Sequence, residues 1–198
     1  VYLIILIIFS YTRRTVMSGD NLKRYTNVEC AGTVPQNYMK RRSNKNNQLM
    51  LIDRRTTTPS FTEAMNTLYI RSSRRLKRED QKVFVITSAA KGEGKSTISS
   101  NLALTYAMKG HKVLLIDGDL RHPSVGEKFG MQNDWGFDSV LREEKDLEEA
   151  VCAYKDTGLD ILAGSRPVNQ NRIASLLGNQ AVREKLDAWR EMYDYIII

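Results

Sequence analysis

The sequence predicts an α/β protein whose mostly parallel sheet is covered by helices on both faces. Three observations support this class. From residue 83 onward, short apolar runs alternate with longer segments of helical period. The apolar run VLLI within 112–117 is uninterrupted, as in a strand buried on both faces of a parallel sheet. A glycine-rich turn joins the first strand directly to a helix, so a ligand is expected at the carboxyl ends of the strands.

The glycine-rich turn, AAKGEGKS at residues 89–96, is a phosphate-binding loop in its expected setting between an apolar strand and a helix. Glycines let backbone N–H groups close around phosphate oxygens, and the helix N-terminus adds partial positive charge. Lys95 is expected to reach the β- and γ-phosphates, and the Ser96 hydroxyl to bind Mg²⁺. Ala89 replaces the first glycine of the G-x-x-x-x-G-K-[ST] pattern, but the context supports a P-loop NTPase.

A second motif, LLIDGDLRHP at residues 114–123, places Asp117 and Asp119 at the end of a buried strand. In a parallel sheet this strand ends at the same edge as the strand before the phosphate loop. Carboxylates there can hold Mg²⁺ directly or through water, and one can accept a proton from an attacking hydroxyl. Solvated aspartates in a strand-end turn are the alternative, which the neighbouring phosphate loop disfavours.

The remaining elements of the predicted nucleotide-binding domain, residues 60–198, follow from capping signals and apolar spacing. A helix is expected to begin at Ser60, because Glu63 three residues later completes a capping box. Gly110 is expected to end the helix after the phosphate loop. Further segments are predicted as short helices at 137–142 and 146–154, strands at 83–86, 112–117, 159–163 and 195–198, and a last helix with an apolar face over 182–193.

Residues 1–11 (VYLIILIIFSY) are almost wholly apolar. As a helix they would extend about 16 Å, half the thickness of a bilayer core. Arg13 and Arg14 follow them, whereas a signal peptide carries its basic residues first. We interpret the segment as the end of a transmembrane helix, cut at its start, with a cytoplasmic exit by the positive-inside rule. A buried core strand or helix is the alternative.

The net charge of +7 is concentrated in the N-terminal part of the chain. Up to Lys82 there are 16 Lys and Arg against 6 Asp and Glu, and from residue 83 there are 14 against 17. Residues 12–59 are therefore predicted to be a basic juxtamembrane segment and linker beside anionic headgroups, with a small strand ending at 32–35. A nucleic-acid partner is not expected, because the basic charge adjoins an apolar segment and lacks interleaved aromatic residues.

The cysteines and histidines match no metal-site spacing. Cys30 and Cys152 are far apart in the sequence and are expected to be reduced thiols of a cytosolic domain. His111 and His122 are equally isolated, so both are interpreted as structural or surface residues.

Together the two loop motifs resemble those of the bacterial tyrosine kinases (BY-kinases), which accompany capsule and exopolysaccharide synthesis. Residues 87–96 (TSAAKGEGKS) are similar to their Walker A motif. Residues 114–121 (LLIDGDLR) are similar to their Walker A′ motif, an apolar run followed by D-x-D-x-R. Residues 28–35 are similar to the small strand that follows the second transmembrane helix of the membrane-fused members. The resemblance extends over most of the chain.

This resemblance implies a protein-tyrosine kinase that uses ATP and Mg²⁺, phosphorylates itself and regulates polysaccharide synthesis and chain length. It implies a bacterial inner-membrane protein with this domain on the cytoplasmic side. The implied partners are neighbouring subunits and the polysaccharide export and polymerisation machinery. The implied site residues are Lys95, Asp117 and Asp119 in catalysis, Ser96, Asp117 and Asp119 at the metal, and Gly92, Glu93, Gly94, Lys95, Ser96 and Thr97 in the ATP cradle.

Two parts of the family pattern are absent from the sequence. The third acidic motif, Walker B, is expected directly after Ile198, and the C-terminal tyrosine cluster is lacking; Tyr193 and Tyr195 do not substitute for it. We therefore predict that the chain is a fragment, incomplete at its C-terminus and inactive alone.

A third departure concerns subunit assembly. The helix that carries E-x-x-R-x-x-R in many members has Glu63, Asn66 and Tyr69 at these positions. Loss of both arginines removes charge-assisted contacts between subunits, which argues against a ring.

Two other functions are weighed against the kinase. A partitioning or site-positioning ATPase of the Min/Par type carries a signature Lys early in its loop, in K-G-G-x-G-K-[ST], where this sequence has Ala90. A non-catalytic polysaccharide co-polymerase domain that senses ATP through assembly is the other alternative. The D-x-D-x-R motif and the apolar N-terminal segment favour the kinase.

Overall fold

The computed structural model describes residues 28–35, 51–53, 57–75, 82–131, 134–178 and 180–198. Contacts divide the chain into two units, Val1–Val34 and Pro35–Ile198. The predicted transmembrane segment, and most of the predicted linker, lie outside the described residues. Among the described residues, no helix has both the length and the apolar character needed to cross a bilayer.

In the first unit, residues 28–34 form neither helix nor strand, so the small strand predicted to end at 32–35 is wrong. A strand exists only as a hydrogen-bonded partner in a ladder. Residues 28–34 have no strand assignment of their own.

The second unit contains seven helices and five strands within its described residues. The helices are α1 (Pro59–Arg75), α2 (Lys95–Met108), α3 (Val125–Phe129), α4 (Phe137–Leu141), α5 (Leu147–Ala150), α6 (Gln170–Leu177) and α7 (Gln180–Met192). The strands are β1 (Val83–Phe84), β2 (Val113–Ile116), β3 (Cys152–Tyr154), β4 (Leu159–Leu162) and β5 (Tyr195–Ile197).

The strands form one sheet in the order β1-β5-β2-β4-β3. Strands β1, β5, β2 and β4 are parallel, and β3 pairs with β4 in the antiparallel sense at one edge. The predicted mostly parallel sheet is therefore confirmed. All four residues of β2 are buried, as its unbroken apolar run predicts.

The antiparallel edge corrects the helix predicted over 146–154. The helix α5 ends at Ala150, and the chain then reverses through a turn in which Lys155 and Gly158 both have positive φ. This turn brings β3 back onto β4, with Cys152 opposite Ile161. A short hairpin thus replaces the second half of the predicted helix, because its residues complete the sheet edge.

Helices cover both faces of the sheet, as predicted. Alternate residues of β2 point to opposite sides, with Leu115 in the core beneath α1 and α2 and Leu114 in the core beneath α4 and α7. The helix α2 is buried continuously from Ser99 to Ala107. Its position between α1 and the sheet requires burial on nearly every side.

The helix α1 begins earlier than predicted. It starts at Pro59, a residue that suits the first turn because it lacks an N–H. The hydroxyl of Thr58, rather than of Ser60, accepts a hydrogen bond from the N–H of Phe61 at 3.3 Å. Thr58 is therefore the N-cap, and the predicted capping box of Ser60 and Glu63 is wrong.

Residues 51–53 fall within the predicted linker, but they pack into the core of the second unit. Leu51 is fully buried in the core beside α2, and the N–H of Ile52 donates to Asn101 Oδ1 at 2.9 Å. The carboxylate of Asp53 accepts from the Tyr154 hydroxyl and from the Lys155 ammonium. The globular unit therefore includes residues that precede the predicted boundary at residue 60.

We predict that Leu51→Ala lowers the free energy of unfolding by about 2–5 kcal/mol, because it opens a cavity in a closed part of the core. Urea unfolding measures this effect. The matched control is Met108→Ala, which truncates a side chain that is 57% exposed and should have little effect. Equal small effects of both substitutions would show that residues 51–53 are not part of the folded core.

Candidate active site

The phosphate loop is shaped by two glycines in the left-handed region. Gly92 has φ +86° and Gly94 has φ +95°, and a Cβ at either position would meet nothing within 4 Å. The requirement for glycine is therefore set by backbone conformation rather than by space. Gly94 is also the N-cap of α2, so the loop ends at the positive pole of that helix.

The side chain of Glu93 holds the loop together. Its Oε2 accepts a hydrogen bond from the N–H of Ala90 at 3.1 Å, and the Ser88 hydroxyl donates to the Ala90 carbonyl at 2.9 Å. Glu93 was predicted as part of the ATP cradle. In this structure its carboxylate braces the loop from within.

The predicted site residues meet at the carboxyl edge of the sheet. Two adjoining cavities of about 310 and 800 Å³ open there. Both are lined by Lys95, Ser96, Asp119 and Arg121; Asp117 lines the smaller one, and Gly92, Gly94 and Thr97 line the larger one. The strand order explains this meeting, because only β5 separates the strands that lead into the two motifs.

The two aspartates of the acidic motif have different surroundings. Asp117 is 4% exposed, and its carboxylate accepts from the N–H groups of Ser124 (2.7 Å), Val125 (2.9 Å) and Asp119 (3.2 Å). Burial raises the pKa of Asp117, and these three N–H groups partly oppose that shift. The carboxylate of Asp117 therefore fixes the backbone of residues 119–125 through these hydrogen bonds.

Asp119 is exposed, in contrast, and its Oδ1 accepts from the N–H of His122 at 3.0 Å. Among the described residues its other oxygen has no hydrogen-bond donor, so Asp119 presents an available carboxylate oxygen to both cavities. No group of three His, Cys, Asp or Glu side chains suited to a metal occurs in the described ranges. A metal there would take its protein ligands from the two aspartates and the Ser96 hydroxyl.

Sequence reasoning missed Lys128, which lines the larger cavity. It lies on the unpredicted helix α3, which Asp117 holds through the N–H groups of Ser124 and Val125. Burial lowers the pKa of Lys128. The available signal was Gly130, which has φ +76° and is the C-cap of a five-residue helix.

The segment between β4 and α6, residues 163–169, was also missed by the sequence analysis, and it closes one side of the site. The N–H of Val168 donates to the Leu120 carbonyl at 2.7 Å. Gly164 lies against Pro123, where a Cβ would be 2.4 Å from the proline Cβ. The following helix α6 contributes Ile173 to the smaller cavity.

His122, interpreted from the sequence as structural or surface, is exposed and lines the larger cavity, whereas the cysteines and tyrosines singled out in the sequence line neither cavity. Neither Cys30 nor Cys152 forms a disulfide within the described residues, in agreement with the reduced thiols predicted. Tyr193 is buried, and its hydroxyl donates to Asp160 at 2.8 Å, while Tyr195 lies in β5. Both tyrosines therefore contribute to the fold, and that they are not acceptor residues stays a prediction.

Tyr69, which replaces the second arginine of E-x-x-R-x-x-R, turns toward the core. Its ring contacts Tyr106 edge to face at 4.7 Å between centroids, and its hydroxyl lies 3.3 Å from Nε2 of His111. His111 therefore has the structural role predicted for it. The side chain of Tyr69 therefore packs against the core of the second unit.

The AAA domain family profile matches residues 81–198, more than half of the chain. The chain is 43% identical over 116 residues to the tyrosine-protein kinase YwqD of Bacillus subtilis, covering 59% of this chain and 48% of YwqD. The solved kinase domain of VpsO matches with 34% identity and a TM-score of 0.58, covering 69% of this chain and 68% of that domain. The chain belongs to the bacterial tyrosine kinase (BY-kinase) family.

A second group of P-loop proteins is similar to a smaller part of this BY-kinase. The septum site-determining protein MinD of Pyrococcus horikoshii, solved with Mg-ADP, matches with 26% identity and a TM-score of 0.50, covering 59% of this chain and 47% of MinD. Identity, coverage and structural similarity are all lower than for VpsO. The chain spans about half, or less, of the length of the curated kinases it matches.

We predict that Asp117→Ala destabilises the fold by about 2 kcal/mol or more, because three N–H groups lose their acceptor. Asp119→Ala should cost less than about 1 kcal/mol, since the exposed carboxylate accepts a single backbone hydrogen bond. Urea unfolding of the two variants measures the difference. Equal stabilities would contradict the anchoring role of Asp117.

Proposed function

We propose that the protein binds Mg-ATP at the phosphate loop and transfers the γ-phosphoryl group to tyrosine hydroxyls, including its own. The observation that carries this proposal is the convergence of Lys95, Ser96, Asp117 and Asp119 on one cavity at the carboxyl edge of the sheet. This donor set fits Mg²⁺, which prefers oxygen ligands and retains several waters. When bound, the ion neutralises charge on the phosphate oxygens.

The chain's own residues then supply position and charge. The loop N–H groups and the ammonium of Lys95 bind phosphate oxygens, and the left-handed conformations of Gly92 and Gly94 shape the loop. Glu93 keeps the loop closed through Ala90. Such preorganised donors stabilise the charge of a transferring phosphoryl group without rearranging during the reaction.

The unequal surroundings of the aspartates suggest different roles. Asp119 has an available oxygen beside Lys95 and Ser96, so it is suited to orient or deprotonate a tyrosine hydroxyl. Asp117 accepts hydrogen bonds from three N–H groups, so its carboxylate is held in one position. It is therefore suited to fix the acidic motif and to lie beside the metal. This division refines the shared role that the motif alone predicts.

The proposed biological role is regulation of capsule or exopolysaccharide synthesis and chain length. It rests on membership of the BY-kinase family, which accompanies capsule and exopolysaccharide synthesis, and on relatives named tyrosine-protein kinases, such as CpsD of Streptococcus agalactiae. A membrane location with this domain on the cytoplasmic side, and contact with the polysaccharide machinery, belong to the same proposal. The apolar segment 1–11 and the basic residues after it support the membrane location.

A Min/Par-type ATPase is the second candidate, supported by the similarity to MinD. Ala90 stands where that group has its signature Lys, and the N–H of Ala90 is engaged by Glu93 of the same loop. The D-x-D-x-R motif and the greater similarity to kinase domains favour tyrosine phosphorylation. A non-catalytic assembly domain would bind ATP without transferring phosphate.

We predict that Lys95→Met in the full-length protein abolishes both ATP binding and phosphotyrosine, because the ammonium contacts the phosphates. Asp119→Asn should retain ATP binding within about threefold and lose at least about 100-fold in phosphotyrosine formation, the scale of general-base catalysis. Calorimetry and a phosphotyrosine immunoblot measure the two effects. Lys109→Met, at the exposed end of α2, is the control. Retained phosphotyrosine in a folded Lys95→Met variant would refute the assignment.

A further inference from the structure

Lys128 extends the positive charge of the larger cavity beyond the phosphate loop. Four cationic side chains line this cavity, and Asp119 is the single carboxylate among the described residues that line it. The four are Lys91, Lys95, Arg121 and Lys128. An excess of about three positive charges in one concave site favours a polyanionic ligand.

Among these cations, Lys128 is half-buried, and the carboxylates nearest to it are those of Asp117, Glu127 and Asp119. In the part of the chain that the structure describes, its ammonium makes no hydrogen bond and no ion pair. The carboxylate of Asp117 is already engaged by three N–H groups, and Glu127 is exposed on the preceding position of α3. Burial, and the nearby charge of Lys95, lower the pKa of Lys128, whereas Asp117, Glu127 and Asp119 raise it. A partly desolvated cation of this kind is stabilised when an anion enters the cavity.

The backbone fixes Lys128 in place. Its own N–H donates to the Ser124 carbonyl at 3.2 Å, and the N–H groups of Ser124 and Val125 donate to Asp117. At Gly126 a Cβ would lie 3.1 Å from the Cβ of Ala163, so α3 packs closely against the end of β4. The carboxylate of Asp117, the first aspartate of the acidic motif, thus positions the helix that carries Lys128.

We propose that Lys128 is a further phosphate-binding residue, whose ammonium binds a β- or γ-phosphoryl oxygen of the nucleotide beside Lys95. This inference rests on the proposed ATP site. Lys95 and Lys128 then approach the polyphosphate from two separate elements, α2 and α3. The α3 lysine links the acidic motif to nucleotide binding, because Asp117 holds α3 in position.

The first test is calorimetric titration of the full-length protein with Mg-ATP and with AMP. Lys128→Gln should weaken ATP binding about tenfold or more, the scale of a lost hydrogen bond to a charged group, and leave AMP binding unchanged. Lys128→Arg should retain ATP affinity within about threefold, and Lys109→Gln should match the wild type. A folded Lys128→Gln variant with wild-type ATP affinity, or with equally weakened AMP affinity, would overturn the inference.

The second test needs no substitution. Lysine acylation of the wild-type protein, followed by mass spectrometry, should show that Mg-ATP protects Lys95 and Lys128 but not Lys109. Protection of Lys95 without Lys128 would overturn the role of Lys128 and leave the proposed ATP site intact. Protection of neither residue would overturn both proposals.

Discussion

The pairing of β5 between β1 and β2 is the constraint on which the site depends. Ile196 of β5 lies opposite Val83 of β1 on one side and opposite Leu114 of β2 on the other. Beyond the strand, the N–H of Ile198 donates to the Phe84 carbonyl at 2.9 Å. The last strand of the described sheet therefore sets the spacing between the phosphate loop and the acidic motif.

This spacing also explains a glycine between the two aspartates. A Cβ on Gly118 would lie 2.9 Å from Cγ2 of Ile198, so a larger residue would require the side chain at the end of β5 to shift. The close approach brings the motif beside Lys95 and Ser96. A residue that separates two carboxylates in the sequence thus permits the packing that aims them at the phosphate loop.

The site combines rigid and available groups, and the sequence does not distinguish them. Asp117 and Asp119 look equivalent in D-x-D, but the fold buries the first against three N–H groups and leaves the second exposed. Glu93 likewise looks like a cradle residue and instead braces the loop. The two motifs, the parallel strands and the α/β class of the fold could be predicted, because each depends on local residue type and periodicity. The roles of individual side chains depend on burial, which the tertiary structure decides.

The elements that sequence reasoning missed share a physical cause. The helix α3 is five residues long and is held by Asp117, and β3 exists because a turn returns it to β4. Leu51 lies in a short apolar run, residues 49–52, of an otherwise polar segment, and its burial depends on contacts with distant residues of the core. Short elements gain little from intrinsic propensity, so tertiary contacts determine them. Two of the missed elements, α3 and α6, line the site. Part of the site lining therefore depends on tertiary contacts rather than on local sequence.

The fate of the γ-phosphate tests the central claim most directly. Full-length protein incubated with Mg²⁺ and γ-labelled ATP should transfer label to its own tyrosines, and this transfer should disappear in Asp119→Asn. Label released only as free phosphate, with no phosphotyrosine, would contradict the kinase account and favour the Min/Par-type ATPases. Bound ATP with neither product would contradict it equally and favour a non-catalytic role in assembly.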